Sequence, residues 1–167
     1  LVVDGSGRSN VTGLSADLDA NASTGVVDVT TATNASVNIL TGTRNTYVDA
    51  VGADSTVNVN ADKMVGGIRL YAFGEGDFTV TNVASGVIID ADGDNDSSET
   101  ALTGTMTVTT DSGATGVSVR TGVATTSVTG NNGSATVVAD ALANNTDVVL
   151  AGSSDYTVTG LVGDVDA

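Results

Sequence analysis

The chain has 167 residues with 21 Gly, no Pro, Cys or Trp, and 3% aromatic residues, which excludes a disulfide framework and a core of large side chains. Its 20 acidic and 5 basic residues give a net charge of −15, so nucleic acids and anionic membranes are poor partners. No apolar run approaches the ~20 residues of a membrane-spanning helix, and we expect no membrane insertion.

Short Val-x-Val or Thr-Val-Thr runs recur along the chain at intervals of about ten residues. Each run predicts a strand of about four or five residues, followed by a turn of Gly, Asp, Asn or Ser. The composition, dominated by Val and Thr, therefore predicts an all-β protein. In chain order the runs lie at Val2, Val11, Leu18, Val27, Val37, Val48, Val57, Ile68, Val80, Ile89, Val108, Val117, Val128, Val137, Val148 and Val158.

A longer repeat is superimposed on these runs. Residues 1–20 match residues 148–167 without a gap, and residues 68–91 are a third, less regular copy. The pattern predicts one continuous segment with internal repeats at 1–67, 68–147 and 148–167, the last of them partial. Because the chain starts at Leu1 and ends in the phase in which it began, we expect further coils on both sides.

Strands this short bury one face only, and stacking them coil upon coil buries a continuous core. We therefore predict a parallel β-solenoid (a β-helix or β-roll) with two strands and about 20 residues per coil, or roughly eight coils. Three strands and about 30 residues per coil is the other solenoid geometry. The alternative fold is an array of β-sandwich modules, but the even spacing and the scarcity of hairpin signals, apart from Asn132-Gly133, disfavour it.

An acidic insertion follows the strand at Ile89 and is the strongest chemical signal in the sequence. Alternating carboxylates converge readily on a hard cation that prefers six to eight oxygen ligands, so we predict a Ca²⁺ site there. The spacing is not that of an EF-hand, and a solvated acidic loop is the alternative interpretation. The predicted ligands are Asp90, Asp92, Asp94, Asp96 and Glu99.

Five further aspartates are weaker candidates for metal binding. They lie at strand ends or turns, where a carboxylate commonly accepts hydrogen bonds from backbone amides, and that structural role is favoured. They are Asp17, Asp19, Asp77, Asp164 and Asp166.

Catalysis is poorly supported, because the chain has no His, no Cys and a single Lys. We predict no enzyme activity. An alternative function is carbohydrate binding or polysaccharide modification at Tyr71, Phe73 and Phe78, although aromatic residues so placed more often pack in a core. A minor alternative is an ice-binding face, suggested by the Thr-x-Thr runs at residues 79–81, 107–109 and 157–159.

The composition and phrases such as residues 152–160 (GSSDYTVTG) resemble the repeat regions of large acidic bacterial surface proteins exported by type I systems, including S-layer proteins and RTX-associated giant adhesins. The resemblance implies secretion, assembly at the cell surface and Ca²⁺-dependent order. The family's Gly-Gly-x-Gly-x-Asp nonapeptide is absent, and Gly74-x-Gly76-Asp77 is only a near match, so its tandem Ca²⁺ sites are not transferred to this chain.

The sequence thus predicts a structural or adhesive segment of an extracellular surface protein, such as an S-layer, filament or adhesin stalk. The expected partners are further copies or neighbouring repeats of the same protein, with a surface glycan as an additional partner. Nucleic acid is not expected as a partner.

Overall fold

The computed structural model describes residues 1–93, 100–162 and 164–167, and these residues form strands and turns without a helix. None of the described chain therefore has the long apolar helix that crossing a membrane in that form requires. The described strands are β1 (Ser9–Leu14), β2 (Leu18–Asp19), β3 (Val27–Thr31), β4 (Ser36–Leu40), β5 (Thr46–Ala50), β6 (Thr56–Asn60), β7 (Arg69–Gly74), β8 (Asp77–Val83), β9 (Ile88–Asp90), β10 (Met106–Thr110), β11 (Val117–Arg120), β12 (Thr126–Gly130), β13 (Ser134–Val138), β14 (Asp147–Gly152), β15 (Asp155–Thr159) and β16 (Asp164–Asp166).

The strands alternate between two parallel sheets, which we call the odd sheet (β1, β3 and so on to β15) and the even sheet (β2 to β16). Within the described chain each sheet has eight strands, and each strand pairs in parallel with its neighbours one coil away, the terminal strands with a single neighbour. The protein is thus a β-solenoid with two strands per coil, as predicted, and about seven turns. Eight stacked strands in each sheet are joined by about seven turns, which agrees with the roughly eight coils predicted. Coil length varies, since hydrogen bonds link successive coils at separations from 18 residues up to 24 and 30.

The core lies between the two sheets and consists of columns of inward side chains. Parallel pairing brings each inward residue over its counterpart in the previous coil, so branched side chains stack in register. One such column in the even sheet is almost completely buried throughout and consists of Ile39, Val59, Val80, Val108 and Val128. Burial of such columns therefore stabilises the stacking of the coils, together with the hydrogen bonds between strands.

The turns explain the many glycines. A Cβ atom on Gly104 would lie 2.1 Å from the carbonyl oxygen of Gly76, and one on Gly133 would lie 1.7 Å from that of Ala114. Only glycine lets the backbones of successive coils approach so closely at these corners.

The β-sandwich alternative is wrong, because every pair of strands in the two described sheets is parallel. Asn132-Gly133, the one tight hairpin signal, instead forms a corner between β12 and β13, which belong to different sheets. Asn132 has a φ of 55° at this corner, a conformation that Asn adopts more readily than most residues.

The matched ends of the sequence occupy equivalent positions in the solenoid, since Val11 lies in β1 and Val158 in β15, both in the odd sheet. Residues that correspond at a spacing of about 80 lie in opposite sheets: Val37 is in β4 of the even sheet and Val117 is in β11 of the odd sheet. One strand with its turn is therefore the smallest structural unit of the solenoid.

Thr126 interrupts a column of apolar side chains, and we predict that Thr126→Val stabilises the protein. Its hydroxyl is buried and has no hydrogen-bond partner in the described residues, and the next residue in the column is Val148. Removing an unsatisfied hydroxyl should raise the free energy of unfolding by about 1 kcal/mol, measured by urea denaturation. The reverse change one coil later, Val148→Thr, should lower it by about 1–3 kcal/mol. A loss of stability in Thr126→Val would contradict this account of the core.

Candidate functional site

The outward face of the odd sheet carries a column of polar, charged and aromatic side chains, one from each of six successive coils. The residues pair in register along the sheet. From the first coil onward they are Asn10, Asp28, Tyr47, Tyr71, Asp90 and Arg120. Because the solenoid places these residues one above another, polar and aromatic side chains that are far apart in the sequence lie next to each other on this face.

An ion-pair cluster occupies the last two positions of this column, Asp90 and Arg120, together with the nearby Arg69 and Asp92. Asp90 is fully buried and accepts a hydrogen bond from Arg69, and Arg120 pairs with Asp92 and lies 3.9 Å from the second carboxylate oxygen of Asp90. Burial alone would lower the pKa of Arg120, but its hydrogen bond to Asp92 and the charges of both aspartates raise it overall. Buried charges are tolerated when they are paired in this way. Because Arg69, Asp90 and Arg120 lie on β7, β9 and β11, the cluster joins three consecutive coils of the odd sheet.

Two of the five predicted Ca²⁺ ligands, Asp90 and Asp92, therefore bind arginine side chains in this structure. Asp94, Asp96 and Glu99 lie outside the described residues. Within residues 1–93, 100–162 and 164–167, no three acidic side chains are grouped so that they could hold a metal ion. The described part of the predicted ligand set thus fits an arginine cluster better than a cation site, and Ca²⁺ binding by the other three residues stays a prediction.

Asp17 and Asp77, two of the weaker candidates, act as caps between coils. Asp17 accepts hydrogen bonds from the backbone and side-chain nitrogens of Asn38 at 3.0 and 2.8 Å, and the backbone hydrogen bond is the main reason that its pKa is lowered. Asp77 accepts two hydrogen bonds of 2.8 Å from Thr105, one from the backbone N–H and one from the hydroxyl. Each carboxylate satisfies a backbone amide of the following coil.

The other three weaker candidates do not converge either. Asp19 accepts a hydrogen bond of 3.0 Å from the backbone N–H of Asn21, which is a local turn. Asp164 and Asp166 are exposed on β16, and Asp164 pairs in register with Asp147. These three aspartates lie at a turn or on a strand, as the sequence predicts, and the structure does not bring them together into one site.

The structure separates the three aromatic residues that are close in sequence. Phe78 is 1% exposed and belongs to the core beneath the even sheet, whereas Tyr71 and Phe73 lie on the outward face of the odd sheet, 7% exposed. The Tyr71 ring stacks on that of Tyr47 with centroids 4.3 Å apart. Burial and the neighbouring Tyr47 raise the pKa of Tyr71 to about 12.

Tyr47 was not among the sequence-predicted site residues because it is far from Tyr71 in sequence. Their contact follows from one turn of the solenoid, in which Thr46 pairs with Leu70 and Tyr47 with Tyr71. Correct coil lengths are the signal that would have grouped the two tyrosines.

The Thr-x-Thr runs form an incomplete ladder. Thr79 and Thr107 pair in register on the even sheet, and Ser127 continues the column, but the register of β8 and β10 shifts after Val108. Thr157 lies on the odd sheet, on the other side of the solenoid. An ice-binding face stays a prediction, which rests on the single column of Thr79, Thr107 and Ser127.

Comparisons with known proteins add no identity to this geometry: no family model matches the chain, and neither the curated proteins nor the solved structures contain a significant match. The fold itself is of a kind that commonly serves structural roles.

We predict that the buried ion-pair cluster is essential to the stability of the middle coils. Asp90→Asn removes the carboxylate that faces Arg69 and Arg120, and it should lower the free energy of unfolding by about 3 kcal/mol in urea denaturation. The matched control is Asp28→Asn on the same face. Its ion-pair partner Arg8 is 68% exposed, so loss of this pair should change the free energy of unfolding little. Equal effects of the two substitutions would show that burial does not distinguish these pairs.

Proposed function

We propose that this chain is a structural or adhesive segment of an extracellular surface protein, such as an S-layer, filament or adhesin stalk. The observation that carries the proposal is the continuous solenoid whose first and last coils have matching sequences in equivalent positions of the same sheets. Such an architecture lengthens by adding coils, because each coil contacts only its neighbours. Its work is to extend and stiffen the protein of which it is part.

The dimensions suit a spacer. Successive coils are separated by ~4.8 Å, so about seven turns give a rod of roughly 35 Å. Two sheets joined along one continuous core resist bending, since every column of inward side chains must deform together. The rod therefore supplies a fixed distance between whatever it connects.

The inventory of side chains supports a role without catalysis. The sequence contains no His and no Cys, and the buried carboxylates of Asp90 and Asp92 pair with Arg69 and Arg120. A net charge of −15 also disfavours nucleic acid as a partner and keeps the rod soluble at high local density.

Surface location is the expectation that tests the proposal most directly. Antibodies raised against the 167-residue chain should label intact cells that produce the protein, and brief protease treatment of intact cells should remove the label. An intracellular protein from the same cells is the control and should be labelled only after permeabilisation. If this chain also requires permeabilisation, the proposed location is wrong.

Calcium binding by Asp94, Asp96 and Glu99 is the second part of the proposal. Added Ca²⁺ should raise the melting temperature above the value in EDTA, because a ligand that binds only the folded state stabilises it. Asp94→Asn/Asp96→Asn should abolish the difference. Asp54→Asn/Asp62→Asn removes the same charge from two exposed positions and should retain it. Identical melting temperatures of the wild type in EDTA and in Ca²⁺ would remove calcium from this proposal.

A further inference from the structure

A polar groove lies on the outward face of the odd sheet, over its first three strands. Its floor and sides are two columns of outward residues, Asn10, Asp28 and Tyr47 in one and Thr30 and Asp49 in the other. The groove has a volume of ≈ 310 Å³, at the lower end of the range of small-molecule sites.

The groove exists because the outward side chains differ in size from coil to coil. Outward residues of β1 and β3 are small and polar, whereas β7 presents the larger ring of Phe73. The backbone of Phe73 also forms an antiparallel bridge with that of Ala101. Thr100 and Phe73 thus close one end of the groove. The depression follows from the order of side chains along the solenoid, and its floor is the rigid sheet.

Hydrogen-bond donors and acceptors both face this groove. Arg8 donates to Asp28 at 2.5 Å, and its guanidinium lies 5.7 Å from the centroid of the Tyr47 ring. Asp49 is half-buried, and in the described residues its carboxylate has no hydrogen-bond or ion-pair partner. Burial raises the pKa of Asp49, so this carboxylate is poorly solvated in the free protein. A hydroxyl group of a bound ligand would supply the hydrogen bond that Asp49 lacks.

We propose that this groove binds a neutral carbohydrate, with Asp49 and Asp28 accepting hydrogen bonds from sugar hydroxyls and Arg8 and Asn10 donating to sugar oxygens. The inference goes beyond the proposed structural role and does not depend on it. A sugar offers donors and acceptors on neighbouring carbons, which matches this mixture of carboxylate, amide and guanidinium groups.

Other ligand classes fit less well. The groove contains two carboxylates and one arginine, and the whole chain is strongly acidic, so phosphates and other anions are repelled. No third acidic side chain in the described residues completes a metal site with Asp28 and Asp49. The polar floor also offers little to a lipid chain or an apolar peptide.

Tyr47 supplies an aromatic surface on which a sugar ring packs. One face of its ring is covered by Tyr71, and Arg8 lies over the other. Arg8 is 68% exposed, so its side chain can move off the ring without exposing buried surface. Tyr71 fixes the orientation of Tyr47, because the two rings stack nearly parallel at an interplanar angle of 9°.

The test is a titration of the ¹⁵N-labelled chain with glucose, galactose, mannose, N-acetylglucosamine, cellobiose, maltose and lactose, followed by amide chemical shifts. At least one sugar should shift amides of β1, β3 and β5 and leave those of the even sheet unchanged. Asp49→Asn and Arg8→Ala should each weaken the binding of that sugar roughly tenfold, since the first replaces a charged acceptor by a neutral one and the second removes a charged donor.

Asp54→Asn is the matched control, because it removes one exposed carboxylate outside the groove and should leave the affinity unchanged. Melting temperatures of all variants establish that they are folded, and Arg8→Ala removes an ion pair with Asp28 whose arginine is 68% exposed and whose loss should change stability little. The proposal is overturned if none of the sugars shifts amides around the groove, or if Asp49→Asn and Arg8→Ala bind as tightly as the wild type. Either result leaves the surface-labelling experiment unaffected, so the two proposals fail separately.

Discussion

Parallel stacking of one coil on the next is the constraint from which the rest of this structure follows. Strand pairing fixes the spacing of the coils at ~4.8 Å and places each residue directly over its counterpart one turn earlier. Identical or similar side chains therefore meet, as the branched core residues do inside the solenoid and as Asn38 and Asn58 do outside it through a hydrogen bond of 3.2 Å. A residue's surroundings depend on coil length as much as on its neighbours in sequence.

The same constraint governs where charge can lie, because stacked like charges repel. A chain with 20 acidic residues avoids this on the odd sheet by alternation: Asp28 lies between Asn10 and Tyr47, Asp49 between Thr30 and Phe73, and Asp90 between Tyr71 and Arg120. On the even sheet, by contrast, Asp147 and Asp164 pair in register near the end of the chain. The acidic composition is thus compatible with the fold because most stacked positions separate the carboxylates.

The fold was predictable from the sequence, whereas the site was predictable only in part. Regular Val runs and Gly-rich turns predicted a parallel β-solenoid and favoured two strands per coil, while coils of three strands and a β-sandwich array stayed open until the strand pairing was known. The contacts between coils were not evident, because coil length varies. Asp90 and Asp92 resembled a metal site in sequence, but their arginine partners, 21 and 28 residues away, are brought to them by the solenoid. Phe78 is near Phe73 in sequence yet lies in the opposite sheet and in the core.

The two faces of the solenoid show how one backbone supports different chemistry. Val37 of the even sheet and Val117 of the odd sheet occupy corresponding places in the repeat, so both sheets satisfy the same inward packing rule. Outward residues are under no such restriction, since exposed substitutions away from capping and pairing contacts change stability little. The odd sheet can therefore carry arginines, aromatic rings and a polar groove while the even sheet carries Thr and Asn. The carbohydrate binding that we propose therefore depends on outward residues, and the packing of coil on coil depends on the inward ones.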